Sequence, residues 1–492
     1  MELKVKFLEW YADVPVAMLN QKTAERIGVH IKDRIFLKSN SHEMSTIVNT
    51  VDKWVKEDEI AVSNKIKKRL NLKKGQKIDA VLAMPPKSLS FIKKKLNNGR
   101  LSKKEIEEII GDIVNNSLSE SEIAMFVSAM YKYGLNMNET IFLIEAILKT
   151  GELLNLKKKF IADKHSIGGV PGRTTPIVVS ICASAGLIFP KTSSRAITTP
   201  AGTADVIETI ARVDFSMKEL RKIIQKTGAC MVWGGGLEMV PADSIIIQIE
   251  KVLNIDPESQ MLASIMAKKL AVGSNYILIH IPYGRTAKVN RQKAVALKKK
   301  FEKLGKYFNK KLKCNINKNN GPVGKGVGPV LEMIDVIKIL DPNQKGPKLL
   351  EKRALILSAE LLEMTGKAKK GEGLKMALDI LYSGKAFEKF KQIIKAQEGD
   401  LDFKKLQPAK LKKDFYSAKS GRISEIDNKK INLLARIVGC PSDKRAGVYL
   451  HFNAGEKVRK GEKIITIYSE NRSRLKQASK FYEENKIIKI NN

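Results

Sequence analysis

Apolar positions along the chain follow different rhythms in different stretches. Over residues 1–84 the runs are short and β-patterned: Leu3–Phe7, Arg34–Leu37, Thr46–Val51 and Ile78–Leu82. The stretch MLNQKTAERIGVHIKDRIFLK (18–38) is echoed by AVSNKIKKRLNLKKGQKIDAVL (61–82). Each half reads as strand, short helix, turn (HIKD or LKKG) and strand. Two such halves around one core predict a small pseudo-twofold β-barrel-like domain. Ala83–Met84–Pro85–Pro86 then interrupts the pattern as a linker.

From 85 to 157 the period is helical. Ile106, Ile109, Ile110 and Ile113 share one helix face, Ser119 and Glu122 are spaced as a cap, and Asn138–Glu139 open a further helix to Thr150. Beyond 158, loops, apolar runs and helices alternate. Val178–Ile181 and Ile277–Ile281 read as buried strands, and Asp205–Ala211 and Met217–Thr227 as helices. That alternation predicts an α/β domain. After 410, short strands and turns return (SAKSGRI, NAGEKVRKGEKI). The fold class expected is a multidomain α/β protein. It has a barrel-like domain (1–84), a helical domain (85–157, joined by about 243–271), a central α/β domain (158–242 and 272–409) and a C-terminal, β-rich α/β lobe (410–492).

Composition narrows the function. The 492 residues suggest about three domains. Lys plus Arg total 89 against 52 Asp plus Glu, a formal charge of +37. Such a surface suits nucleic acid or an anionic substrate. The basic residues are spread along the chain, with no RNP, zinc-finger or arginine-rich signature, which disfavours nucleic acid. The cysteines Cys182, Cys230, Cys314 and Cys440 form no CxxC pair, so neither a metal site nor a disulfide framework is expected. MELKVKFLEW lacks a signal-peptide core, and no apolar run approaches the ~18 residues of a membrane span. A cytoplasmic protein without membrane contact is the expectation.

Candidate chemistry lies in glycine- and hydroxyl-rich loops. In DKHSIGGVPGRTT (163–175), Gly168, Gly169 and Gly172 let backbone N–H groups converge on an oxyanion. Lys164, His165 and Arg173 add positive charge, and Ser166, Thr174 and Thr175 add hydroxyls. The spacing fits neither a Walker A loop nor a dinucleotide fingerprint. KTSSRAITTPAGTAD (191–205) joins six hydroxyls and Arg195 ahead of a helix that Thr203 or a neighbour could cap. Two oxyanion loops about thirty residues apart imply a phosphate-bearing substrate, or two phosphate-bearing ligands. Asp256 precedes Pro257, with Ser264 and Lys268 on one face of the following helix. An Asp there is either a helix cap or a general acid. IPYGRTAKV carries Arg285 and Lys288 at a strand end, where open α/β sheets bind ligands. NNGPVGKGVGPVLE (319–332) reads as a packing loop that opens a helix.

DKHSIGGVPGRTTP, PKTSSRAITTPAGTAD, GACMVWGGGLEMVPAD, IDPESQMLASIMAKKLAVGSNY, GPVGKGVGPVLE and GEKVRKGEKI together resemble the thymidine phosphorylase (pyrimidine nucleoside phosphorylase) family. The resemblance runs end to end. It includes an N-terminal extension that the pyrimidine nucleoside enzymes lack, which points to the archaeal branch acting on nucleotides. It implies phosphorolysis of nucleoside 5′-monophosphates: AMP plus phosphate to adenine and ribose 1,5-bisphosphate, with CMP and UMP as further substrates. Inorganic phosphate is the co-substrate, with no cofactor and no metal, and a homodimer or larger homo-oligomer is implied. By position, Asp256 matches the proton donor to the leaving base. Gly168, Gly169, Ser194, Arg195, Ala196, Ile197, Thr198, Thr199, Thr203, Ser264 and Lys288 match nucleotide-binding positions. Lys164, His165, Ser166 and Ser193 match positions near inorganic phosphate. Lys288 and Arg195 are the candidates for the 5′-phosphate. Two departures stand out: GRTT is one residue shorter than the family's GNKTT or GNRTT, and Arg285–Thr286 replaces a smaller stretch. Rival readings are a nucleoside phosphorylase and a basic nucleic-acid-binding protein without catalysis.

Overall fold

The structure, a computed structural model, describes residues 1–8, 15–39, 42–156, 158–196 and 199–491. The chain forms two compact units, Met1–Thr150 with Pro241–Ala263, and Gly151–Val240 with Ser264–Asn492.

The first unit begins with the strands Glu2–Phe7, Val16–Asn20, Arg34–Ser39, His42–Val51, Glu59–Val62 and Lys77–Leu82, which form a closed barrel. Alternation places Leu3 and Val5 inside and Glu2 and Lys4 outside. The echoed halves are structural equivalents. Val16–Asn20, Gln21–Ile27 and Arg34–Ser39 repeat as Glu59–Val62, Asn64–Arg69 and Lys77–Leu82. Val16–Asn20 pairs antiparallel with Glu59–Val62, and Arg34–Ser39 with Lys77–Leu82. Glu2–Phe7 runs parallel to Glu59–Val62 and antiparallel to Lys77–Leu82, as His42–Val51 does with the corresponding strands of the other half. The predicted pseudo-twofold is therefore written into the strand pairing.

The helices Lys103–Val114, Glu120–Tyr133 and Met137–Lys149 each start in a capping box: Ser102 with Glu105, Ser119 with Glu122, Asn136 with Glu139. The last begins slightly before the expected Asn138, because Asn136 supplies the cap and Glu139 answers it from the third position. Ile106, Ile109, Ile110 and Ile113 are all buried.

The second unit is built on parallel strands. Lys311–Lys318, Tyr276–Tyr283 and Ala162–Ser166 pair in that order, and Phe189–Ser193 pairs with Ala229–Trp233. A parallel bridge between Ile161 and Ile188, with Ala162 N–H donating to Ile188 C=O at 2.9 Å, links the two sets. All five strands run the same way, so all five C-terminal ends open on one edge. Ile277–Ile281 lies in a strand as expected. Val178–Ile181 does not: it lies within the helix Thr175–Ser184, with Pro176 in its first turn. Residues Thr175 to Ala183 are buried on every side, so no amphipathic period marks the helix and its β-branched run imitates a strand. The expected helix Asp205–Ala211 is shorter and earlier, at Thr203–Ile207. Farther on, Gly326–Val327 leaves the glycine-rich loop and pairs with Gly447–Leu450, joining that loop to the sheet of the C-terminal lobe.

Candidate active site

Every glycine- or hydroxyl-rich loop singled out above within the second unit leaves the C-terminal edge of the parallel strands. Ser166 ends the first strand and leads into Gly168, Gly169 and Gly172, whose φ angles are +86°, +85° and +125°. Only glycine adopts these freely. A Cβ on Gly169 would lie 2.7 Å from the Lys288 backbone N, and one on Gly172 would lie 2.6 Å from Gly324 N. Val323 N–H donates to Pro171 C=O at 2.9 Å, and Ile167 N–H to His280 C=O at 3.1 Å. The loops 167–172, 284–288 and 319–328 therefore form one surface. The 319–332 segment, read as packing, is part of that surface.

Beneath the loops lies a buried charge cluster. Asp163 accepts from Lys191 Nζ at 3.2 Å and from Lys269 Nζ at 2.6 Å, and neither Asp163 nor Lys269 has exposed side-chain surface. Residues 264–271 thus belong with this sheet through Lys269. Lys164, also buried, donates to Thr174 Oγ1 at 2.7 Å and Thr175 Oγ1 at 3.3 Å, so the shortened GRTT turn meets the lysine directly. Burial pushes the Lys164 ammonium well below its ordinary range, and the charges of Lys191 and Arg173 add to the effect. Lys269 is lowered too, first by burial. His165, partly exposed, is held well below the usual imidazole range by burial and by Lys191, Lys269, Lys268 and Lys164. Two buried lysines thus share the Asp163 carboxylate, and the third is held by the hydroxyls of the GRTT turn.

The second loop follows Ser193, whose hydroxyl donates to Val232 C=O at 3.3 Å. Ser194 is partly exposed. Arg195 forks onto Glu208 with two contacts of 2.6 Å, reaches Asp205 at 3.4 Å, and lies 5.0 Å from the Trp233 ring centroid. Its guanidinium is thus engaged within the loop. Asp205 accepts from the N–H groups of Ala196 and Gly202, both at 2.7 Å, and folds the loop back on itself. The cap of the following helix is Gly202, the neighbour of Thr203, which is itself the first helical residue and accepts from Arg173 Nη1 at 3.3 Å. Thr199 Oγ1 donates to Ala201 C=O at 3.2 Å. Ile197 and Thr198 lie outside the described residues. Arg173 also binds the buried Glu332 at 2.7 Å and Ala201 C=O at 2.7 Å, so it ties the two oxyanion loops together. Burial raises the Glu332 carboxyl.

Ser264 accepts from Lys268 Nζ at 2.7 Å, as the helical spacing predicted. Asp256, exposed, belongs to the first unit and directly precedes the helix Glu258–Ala271. Sequence reasoning assigned no role to Asp163, Lys191 or Lys269. Asp163 and Lys191 lie in the short strands Ala162–Ser166 and Phe189–Ser193 and Lys269 in the helix Glu258–Ala271, and no local motif marks the three as a group. His280 was likewise absorbed into an apolar strand. Among the described residues, no group of three or more His, Cys, Asp or Glu side chains could hold a metal ion.

Residues 89–151 match the glycosyl transferase family helical bundle domain, 158–387 the glycosyl transferase family a/b domain, and 422–489 the pyrimidine nucleoside phosphorylase C-terminal domain. Among solved structures, anthranilate phosphoribosyltransferase from Thermus thermophilus shares the fold, with a TM-score of 0.52 at 16% identity over 62% of this chain and 99% of that one. This domain set defines a pentosyl-transferring phosphorylase. Full-length relatives narrow it further. AMP phosphorylase of Pyrococcus abyssi is 46% identical, and that of Thermococcus kodakarensis 41%, each over 97% of this chain and 95% of the relative. That of Methanocaldococcus jannaschii is 40% identical over the same shares. The chain belongs to the AMP phosphorylase family.

Proposed function

We propose that the loop edge of the parallel sheet binds inorganic phosphate and AMP and carries out phosphorolysis to adenine and ribose 1,5-bisphosphate. The observation that carries this reading is buried Lys164 held on Thr174 and Thr175, beside Asp163 paired with Lys191 and Lys269, set under loops that leave one edge of the sheet. A phosphate oxygen attacks C1′ from the face opposite the base. The new C1′–O bond forms as the glycosidic bond breaks, and configuration inverts. Positive charge develops on the ribose and is stabilised by the bound phosphate. The electron pair departs with adenine, and Asp256 donates a proton to a ring nitrogen of the base. Fixing the phosphate in line exchanges entropy for geometry.

In this reading Lys164, Ser166, Thr174, Thr175 and the Gly168–Gly169 backbone hold the phosphate nucleophile, with His165 and Ser193 beside it. The 194–199 backbone, Thr203, Ser264 and Lys288 hold the nucleotide. Phosphate is itself the nucleophile, so the reaction calls on no cofactor. CMP and UMP are proposed as further substrates, in a cytoplasmic homodimer or larger homo-oligomer. No helix among the described residues is long and apolar enough to cross a membrane.

Asp256→Asn tests the acid. It is expected to lower kcat by about 10²–10⁴-fold, with the KM for phosphate little changed. An unchanged kcat would remove Asp256 from the chemistry.

A further inference from the structure

His280 stands in the middle of an otherwise apolar strand. Its Nδ1 lies 3.1 Å from Ser166 Oγ, and its Nε2 lies 2.7 Å from the side-chain oxygen of Asn317. The three residues sit on adjacent parallel strands: His280 is the register partner of Ser166 on one side, and Asn317 lies two positions beyond its partner Asn315 on the other. The chain of contacts therefore ends at the first residue of the phosphate loop.

Two arrangements of hydrogens are compatible with these distances, and they do opposite things to Ser166. If the Asn317 oxygen faces the ring, Nε2 carries the proton, Nδ1 is an acceptor, and the Ser166 hydroxyl spends its only hydrogen on the histidine. If the Asn317 amide is turned over, its NH₂ donates to Nε2. The ring proton then sits on Nδ1 and donates to Ser166 Oγ, which leaves the hydroxyl hydrogen for an anion. Amide orientation is assigned from the hydrogen-bond network, because nitrogen and oxygen nearly superpose. Here the turned amide is favoured, because an orphaned buried N–H is rarer than an under-satisfied carbonyl oxygen. With the oxygen on the ring, Asn317 Nδ2 is buried without a partner among the described residues. Turning the amide gives that donor an acceptor and puts the carbonyl oxygen in the unpaired place instead.

We propose that Asn317 and His280 form a positioning relay that orients the Ser166 hydroxyl as a hydrogen-bond donor to the phosphate co-substrate. A cationic imidazole is disfavoured at this place, since burial, with the neighbouring charges of Lys164 and Arg353, pushes His280 down to about 3. The ring therefore stays a single neutral tautomer selected by Asn317, as outer partners select the tautomers of metal-bound histidines. His280 does not touch substrate; it acts only through Ser166. The inference rests on the phosphorolysis reading, because it takes phosphate as the ligand of Ser166.

The test compares two polar replacements of similar burial cost. His280→Asn keeps an amide nitrogen near the Nδ1 position, whereas His280→Gln carries its amide to the Nε2 position and abandons Ser166. The readouts are the KM for phosphate and kcat in AMP phosphorolysis, with phosphate binding by calorimetry without nucleotide. His280→Gln is expected to weaken phosphate binding about tenfold with kcat within about twofold, the effect of a hydrogen bond to a charged group. His280→Asn is expected to stay close to wild type. In a Ser166→Ala background the two replacements should be indistinguishable, because the relay has lost its end point. Equal phosphate affinity for the two variants with Ser166 present, or an undiminished difference between them in Ser166→Ala, would overturn the relay. Loss of AMP turnover in the wild-type protein with phosphate binding intact would instead count against the phosphorolysis reading and leave the relay to the calorimetric comparison.

Discussion

Asp163 shows what a fully buried carboxylate does among lysines. It pairs with both Lys191 and Lys269, and without it these two lysines would be left out of water with no carboxylate between them. Removing one partner of a buried pair costs about 3–5 kcal/mol, because the other charge is left uncompensated. Asp163→Asn is expected to lower the melting temperature by a margin that shrinks when phosphate is added, since the anion supplies part of the missing negative charge. Calorimetric melting with and without phosphate measures this; an unchanged melting temperature would contradict it. At this scale the sequence was half legible. Glycines with positive φ, and Lys164 and Ser166 beside them, were visible as a local motif because they are neighbours in the chain. The Asp163–Lys191–Lys269 cluster and the His280–Asn317 pair were not, because strand register and a distant helix bring them together.

At the scale of elements, the loop 194–202 is held by its own side chains. Glu208 receives the Arg195 fork and the Lys444 ammonium at 2.9 Å from the C-terminal lobe. The fork, with the two positive charges, depresses the Glu208 carboxyl from its ordinary 4.5 to about 2. A carboxylate lowered in the folded state stabilises the fold at pH values above its unfolded pKa. That contribution is lost progressively as the pH falls from about 4.5 towards 2. The difference in melting temperature between wild type and Glu208→Gln is therefore expected to narrow over that window, and a constant difference would contradict the assignment. Elements with a clean period were legible: the barrel strands alternate, and the capped helices of the first unit bury one stripe. Thr175–Ser184 escaped because a helix buried all round carries no stripe, and its Ile and Val residues are those of a strand. The cap falls on Gly202, the neighbour of Thr203, and since it has no side chain Asp205 does its work from inside the helix.

Over the whole molecule, the barrel's internal symmetry and the α/β alternation were both readable, the first from a repeat and the second from the rhythm of apolar runs. The charge of +37 is not diagnostic by itself, and the nucleic-acid reading gains nothing from the relatives, which are AMP phosphorylases. What distinguishes the family reading is the demand for two phosphates, one as nucleophile and one on the nucleotide. The most direct measurement is phosphate-dependent release of base from AMP, with adenosine and thymidine run beside it under the same conditions. The account predicts adenine and ribose 1,5-bisphosphate from AMP, dependent on added phosphate, and little or no release from the nucleosides. Release from the nucleosides alone would contradict the second phosphate site, and release from none of the three would contradict phosphorolysis itself.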